Sequence, residues 1–347
     1  MVDARAQEKL DHLETVLHRD VRPHSTTTGF EHIRFMHNAL PEMDFGVVDV
    51  STRFLGRSLS APLLISSMTG GPEKSGPINA ALAEIAQMLS IALAIGSQRI
   101  AIETPHMEGF GPELRRLAPN IPILANLGAA QLREDRGMDY LRRAVDMVEA
   151  DALILHLNPL QEVLQPMGDR NWHGILERIE AAVRALPCPI IVKEIGCGIS
   201  SALARRLQAV GVTIIDVAGA GGTSWAAVVA DRAPNEKARR TAETFRDWGI
   251  PTAIALREVR RACPEATLIA SGGMRTGLDA AKAIRLGADM VGFAGAILPQ
   301  AVDGSESLCA RFETIIDELK IAAFCTGSDS LAALKHAPLC GDIRPER

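Results

Sequence analysis

The chain has 347 residues, of which 47% are hydrophobic, 23% charged and 4% aromatic, a balance that excludes a disordered or fibrous protein. Its 37 Lys and Arg against 42 Asp and Glu leave a formal charge of −5, without the basic excess that nucleic acid binding requires. No apolar stretch approaches the roughly 20 residues of a membrane span, and residues 1–20 carry charges where a secretory signal would need an apolar run, so a cytoplasmic protein is expected.

In chain order, residues 5–17 have helical spacing, with Leu10, Leu13 and Leu17 on one face, and a Thr/Gly-rich connection follows at 25–29. Short runs of Ile, Leu and Val then alternate with amphipathic stretches. Candidate strands fall at 62–65, 91–95, 123–125, 152–155, 190–192, 213–217, 268–270 and 290–293. Near-continuous apolar strands belong to a parallel sheet buried on both faces, and eight of them with intervening helices predict an α/β fold, a closed (β/α)8 TIM barrel. Residues 1–60 are then an N-terminal extension expected to cover one barrel mouth, and 61–347 the barrel. The long gap before the seventh strand includes the charged stretch 231–240, which reads as an active-site loop, a disordered one, or part of each. A helix over 277–286 ends at Gly287, a C′ glycine, and Leu308, Phe312, Ile315 and Leu319 mark the last barrel helix. Cys188, Cys197, Cys263, Cys309, Cys325 and Cys340 form no C-x-x-C and no zinc spacing, and read as reduced thiols. Trp172, Trp225 and Trp248 are scattered and read as packing residues.

Barrel enzymes place their chemistry where the strands end. Here the strands run into Ser66-Ser67-Met68-Thr69-Gly70-Gly71, Gly96-Ser97-Gln98-Arg99, Asn126-Leu127-Gly128, His156-Leu157-Asn158-Pro159-Leu160-Gln161-Glu162, Lys193-Glu194, Ala218-Gly219-Ala220-Gly221-Gly222-Thr223, Ser271-Gly272-Gly273 and Ala294-Gly295-Ala296. Glycines after the last two strands let backbone approach an anionic oxygen, so phosphate is expected there. Lys193 ends an apolar run, and a buried lysine needs an anion: it is either a Schiff-base former or the partner of an anionic cofactor. Glu162 suits Mg²⁺, which takes one or two protein carboxylates, but it equally suits an acid in the first turn of a helix. His156 by itself is as consistent with a core histidine as with a catalytic one.

Together these segments, with Thr28-Gly29-Phe30, His37-Asn38-Ala39-Leu40-Pro41-Glu42, Lys193-Glu194-Ile195-Gly196 and Asp247-Trp248-Gly249-Ile250-Pro251, resemble the type 2 isopentenyl-diphosphate isomerases over about residues 9–331. The resemblance implies a barrel enzyme that interconverts isopentenyl and dimethylallyl diphosphate with reduced FMN and Mg²⁺, takes NADPH as reductant, and forms a homo-oligomer. It also implies that Ser67, Met68, Thr69, Ser97, Asn126, Lys193 and Thr223 hold FMN, with its phosphate on Gly272, Gly273, Ala294 and Gly295. By the same resemblance Lys9, His12, Ser97, Gln98, Arg99, His156 and Gln161 bind the diphosphate substrate, His156 and Gln161 are catalytic, and Glu162 is the Mg²⁺ ligand. The family's N-terminal motif begins Arg-Lys; here Glu8 stands in the place of that Arg, with Arg5 one helical turn earlier. An FMN-dependent 2-hydroxy-acid oxidase would carry His-Gly-Gly-Arg where this chain reads Ala220-Gly221-Gly222-Thr223, and so would lack its base. The charge reversal at Glu8 alone motivates a third reading, a flavin-binding paralogue without turnover.

Overall fold

The computed structural model describes residues 14–68, 75–104 and 109–341. An antiparallel hairpin of β1 (Thr52–Phe54) and β2 (Arg57–Leu59) precedes eight parallel strands: β3 (Leu63–Ile65), β4 (Ala92–Ala94), β5 (Ile123–Gly128), β6 (Ala152–Leu157), β7 (Ile190–Glu194), β8 (Ile214–Asp216), β9 (Thr267–Ala270) and β10 (Met290–Phe293). These eight close into a barrel in sequence order, β10 pairing back onto β3 through Val291–Leu63, Gly292–Leu64 and Phe293–Ile65. Helices wind between them, so the (β/α)8 barrel expected from the sequence is the observed fold.

Strand alternation sorts the apolar residues into two layers. One set points inward and fills the barrel: Leu64, Ala92, Ala94, Leu124, Ala152, Ile154, Ile191, Ile214, Ile269 and Met290. Their neighbours, among them Ile65, Leu93, Ala125, Leu155, Val192, Ile215 and Phe293, pack outward against the helices. Each inner side chain is fully or almost fully buried, and truncating a Leu or Ile of this layer to Ala costs about 2–5 kcal/mol.

Three strands run past their apolar stretches. β5, β6 and β7 continue through Asn126, His156 and Lys193, because the ladder uses backbone groups and tolerates a polar side chain wherever the inner face offers it a partner. The register carries this through: His156 sits beside Lys193, and Lys193 beside Asp216.

The described part of the N-terminal segment, residues 14–60, has contacts at both ends of the barrel. Phe54 and Leu59 of the hairpin join the inner apolar cluster at the N-terminal end, where Arg57 donates to Asp151 at 2.9 Å. The hairpin turn is Leu55-Gly56, both at positive φ. Residues 14–28 lie at the opposite end instead, with Val16 and Val21 packed on Ala227, Val228 and Trp225. The insertion before β9 is ordered: helices Trp225–Asp231 and Glu236–Thr244 carry side-chain caps from Ser224 and Asn235, and Thr252–Ala262 is the barrel helix. It holds the N-terminal segment, Asp247 accepting from the Ser25 and Thr26 N–H groups at 2.7 and 2.9 Å.

At the C-terminal side, helices Gly277–Arg285 and Ser305–Phe324 touch directly: a Cβ on Gly277 would lie 2.1 Å from the Ile315 carbonyl oxygen. Among the described residues no helix is long and apolar enough to cross a membrane, and the six cysteines are free thiols.

Candidate active site

Two residues beyond each inward-facing apolar side chain, the same alternation brings Ser66, Gly96, Asn126, His156, Lys193, Asp216, Ser271 and Gly292 onto the inner face. Seven of these line a cavity of about 630 Å³ at the C-terminal strand ends, within the roughly 300–1,000 Å³ usual for small-molecule sites. Asp216 lies beneath it, wholly buried.

A chain of amides and hydroxyls forms one wall. Asn126 donates from Nδ2 to Ser67 Oγ at 2.6 Å, which leaves its Oδ1, 2.8 Å from His156 Nδ1, as the acceptor. In a neutral His156 the proton therefore sits on Nδ1, and Nε2 is the basic nitrogen. After β6, helix Pro159–Leu164 starts with Pro at its first position and presents Gln161 and Glu162 one turn from Asn158. Asn158 Nδ2 donates to Gln161 Oε1 at 3.0 Å and to Glu162 Oε1 at 2.8 Å, while the Asp169 N–H reaches Glu162 Oε2 at 2.7 Å. The first-turn position and the ligand role are thus compatible: Glu162 lines the cavity, and each of its oxygens keeps a second lone pair.

Arg19, Arg22, Arg99, Lys193 and Arg275 are the cationic residues of the lining, and two of them, Arg99 and Lys193, are those expected from the sequence. Arg99 pairs with Glu134 at 2.7 Å, Glu103 at 3.0 Å and Asp169 at 3.5 Å. Burial by itself lowers its pKa, but the Glu103 hydrogen bond and the three negative charges outweigh it and raise the value, so Arg99 stays charged. Lys193 donates to the Glu194 carbonyl at 2.8 Å and lies 3.4 Å from Ser271 Oγ and 3.6 Å from Asp216 Oδ2. The Glu194 carboxylate turns instead into a nest of backbone N–H groups from Ile195, Gly196 and Cys197; burial pushes it up, and those bonds pull it back. Burial and the neighbouring Glu194 push the Cys197 thiol up to about 12, which makes it inert as a nucleophile at neutral pH.

The glycine loops serve contacts between backbones as well as the cavity. A Cβ on Gly221, which has φ +113°, would lie 2.2 Å from the Thr28 nitrogen, and one on Gly272, φ +94°, 2.2 Å from the Gly219 oxygen. Gly272, expected from the sequence to face an anion, and Gly221 thus also let the N-terminal segment and the loops after β8 and β9 press together.

Of the residues expected from the sequence, Ser67, Met68, Ser97, Arg99, Asn126, His156, Gln161, Glu162, Lys193, Thr223, Gly272, Gly273, Ala294 and Gly295 line this one cavity. Gln98 does not. It is fully buried, donating to the Ala144 carbonyl at 2.8 Å and accepting from the Asn126 N–H at 3.0 Å, so the structure places its amide on backbone rather than in the cavity wall. Lys9, His12 and Thr69, with Glu8 and Arg5, lie outside the described residues. Trp225, read as packing, does line the cavity while donating to the Ile195 carbonyl at 3.1 Å. Sequence reasoning passed over Gln131, Asp169 and Asp216. Only Asp216 carried a signal, a lone acid at the end of an apolar strand.

Comparison with known proteins fits this geometry. An isopentenyl-diphosphate delta-isomerase of Pseudescherichia vulneris is 56% identical over 340 residues, 98% of both chains, and one of Cronobacter sakazakii is 54% identical over 96% of both. The chain belongs to the isopentenyl-diphosphate delta-isomerase family. A family model for FMN-dependent dehydrogenases matches residues 143–340 of this isomerase-family chain, which contain β6–β10 and the last two glycine loops. Two solved structures share the fold at low identity. A mandelate oxidase with (S)-2-phenylpropionate superposes with TM-score 0.66 at 17% identity, covering 98% of each chain; a mandelate oxidase variant with a monooxide FMN adduct superposes with TM-score 0.65 at 18% identity, covering 96% of this chain and 92% of that one.

Proposed function

We propose that this protein interconverts isopentenyl and dimethylallyl diphosphate in the cavity at the strand ends, with reduced FMN and Mg²⁺ bound there and NADPH as the reductant. The observation that carries this reading is the convergence on one cavity of a buried cation, Lys193, the loops of Gly272, Gly273 and Gly295, and the Asn158–Gln161–Glu162 cluster. The donor set fits FMN: Ser67, Asn126 and Thr223 offer neutral hydrogen-bonding groups, Lys193 a positive charge, and the glycine loops a side-chain-free rim for a phosphate. It also fits Mg²⁺. Glu162 lines the cavity, and each of its carboxylate oxygens keeps a lone pair beyond its one hydrogen bond, which suits an ion that takes one carboxylate and completes its shell with waters and substrate phosphate.

Reduced FMN, when bound, would supply an electron-rich ring able to stabilise developing positive charge, which is how a flavin can serve a reaction with no net redox change. The residues do the rest. Glu162 would hold the Mg²⁺, and Arg99 would bind the diphosphate end by trading part of its pairing with Glu103, Glu134 and Asp169 for phosphate oxygens. Moving the double bond adds a proton at C4 and removes one at C2. His156, with Nδ1 engaged by Asn126, holds or releases a proton at Nε2, and Gln161, fixed by Asn158, orients the alkene end.

The test is turnover: the purified protein with FMN, NADPH and Mg²⁺ under anaerobic conditions is expected to convert isopentenyl diphosphate. Absence of conversion at millimolar substrate, with FMN bound and reduced, would overturn the reading.

A further inference from the structure

Asp216 is the buried ionisable group that the proposed mechanism does not use. It ends β8, is 0% exposed, and stands beside Lys193 in the register of β7 and β8. Its Oδ1 accepts from Ser271 Oγ at 2.6 Å and from the Ala218 N–H at 3.2 Å. Its Oδ2 has no hydrogen-bond partner and lies 3.6 Å from Lys193 Nζ. Lys193 and Ser271 line the cavity; Asp216 does not.

We propose that Asp216 is a positioning residue, the buried counter-ion that keeps Lys193 charged and, through Ser271, holds it at the cavity wall where an anionic cofactor binds. Two features of the geometry carry this. A neutral carboxyl protonated on Oδ2 would find no acceptor within hydrogen-bond distance among the described residues, and one protonated on Oδ1 would have to displace the Ser271 hydroxyl or Ala218 N–H that donates there, whereas the ionised form keeps both donors on Oδ1 and a cation near Oδ2. An ammonium taken out of water is costly unless an opposite charge is near; Glu194 on its own strand contributes through space but turns its carboxylate to three backbone N–H groups, and His156 on the next strand is neutral or positive, which leaves Asp216 as the carboxylate that approaches Lys193 Nζ most directly. Burial pushes the Asp216 carboxyl above its ordinary value, and Lys193, Ser271 and Ala218 pull it back only in part, so its charge depends on those partners.

The cofactor half of the proposal rests on the function proposed above; the counter-ion half does not, and the experiment separates them. The full chain is prepared without FMN, with lysine labelled ¹³C at Cε, and the Lys193 signal is assigned by its loss in Lys193→Arg. At pH 8.5 the wild-type signal is expected at the ammonium position. In Asp216→Asn the neutral-amine fraction at the same pH is expected to rise at least about tenfold, the response to one lost neighbouring charge. A wild-type signal at the amine position, or an unchanged fraction in a folded Asp216→Asn, overturns the counter-ion assignment, and the wild-type arm alone can overturn it even if the variant does not fold. FMN is then titrated by quenching of its fluorescence. A dissociation constant about tenfold weaker in Asp216→Asn supports the link to the cofactor, and an unchanged constant overturns it. Wild-type protein that passes the lysine test yet binds no FMN would sink the proposed function and leave the counter-ion standing.

Discussion

His156 Nδ1 lies 2.8 Å from Asn126 Oδ1, and that contact fixes the tautomer of a neutral imidazole, with its proton on Nδ1. Asn126 in turn is oriented by Ser67. Asn126→Ala removes both bonds while leaving the imidazole in place. Turnover is expected to fall roughly tenfold, the equivalent of about 1–1.5 kcal/mol for one lost orienting hydrogen bond. Steady-state kinetics check this, and a Michaelis constant that rises with unchanged kcat would move His156 from proton handling to binding.

Glu162→Gln keeps the Asn158 hydrogen bond but removes the charge that a divalent cation needs. Activity is expected to fall and its dependence on added Mg²⁺ to flatten. An unaltered Mg²⁺ titration would return Glu162 to the role of a first-turn helix acid.

Lys193→Ala is expected to weaken FMN binding by about 10–100-fold, the range for a lost hydrogen bond to a charged group. Equilibrium titration of the flavin measures it.

Gly221→Ala would drive a Cβ to within 2.2 Å of the Thr28 backbone at φ +113°. Gly56→Ala, at φ +78° with nothing within 4 Å of its Cβ, isolates the backbone strain alone, about 1–2 kcal/mol. Chemical denaturation should show Gly221→Ala losing about 1–3 kcal/mol more than that control, as overpacking adds to strain. Equal losses would mean that residues 27–28 do not press on the loop in solution.

Asp289 tests the electrostatics of the scaffold away from the cavity. Burial alone pushes its carboxyl up, but Lys335 at 2.7 Å, the Leu268 N–H at 2.9 Å and Arg260 at 2.6 Å outweigh it and hold the pKa below the ordinary 3.8. A folded-state pKa below the unfolded one stabilises at pH above 3.8, and that contribution disappears as pH falls through the lowered value. Asp289→Asn is therefore expected to cost about 1–2 kcal/mol at pH 7, with the gap from wild type closing below about pH 4. A gap that persists in acid would assign Asp289 to shape rather than charge.

The barrel was legible in the sequence because its signal is local: eight apolar runs between helical stretches, each observed as a strand at its expected place. The cavity was legible because barrel geometry gathers strand ends, so proximity along each loop stood in for proximity in space. The rest depended on side-chain direction. Gln98 and Arg99 are adjacent, yet one turns into backbone beneath the wall and the other into the cavity, and no sequence spacing separates those outcomes. Asp216 was visible as an acid among apolar neighbours, but its partner Lys193 lies on another strand and is named only by the register. The division of the N-terminal extension between both ends of the barrel was likewise hidden, because a two-residue turn at Leu55-Gly56 and the burial of Phe54 are tertiary facts.

The most direct test of redox-neutral isomerisation is a stoichiometry. With the FMN-loaded protein reduced once, sealed from oxygen and given Mg²⁺ and excess isopentenyl diphosphate, proton NMR of the dimethylallyl methyl groups counts product against reductant supplied. Many product molecules per electron pair are expected. One product or fewer per pair, with the flavin returned to its oxidised state, would contradict the proposal outright.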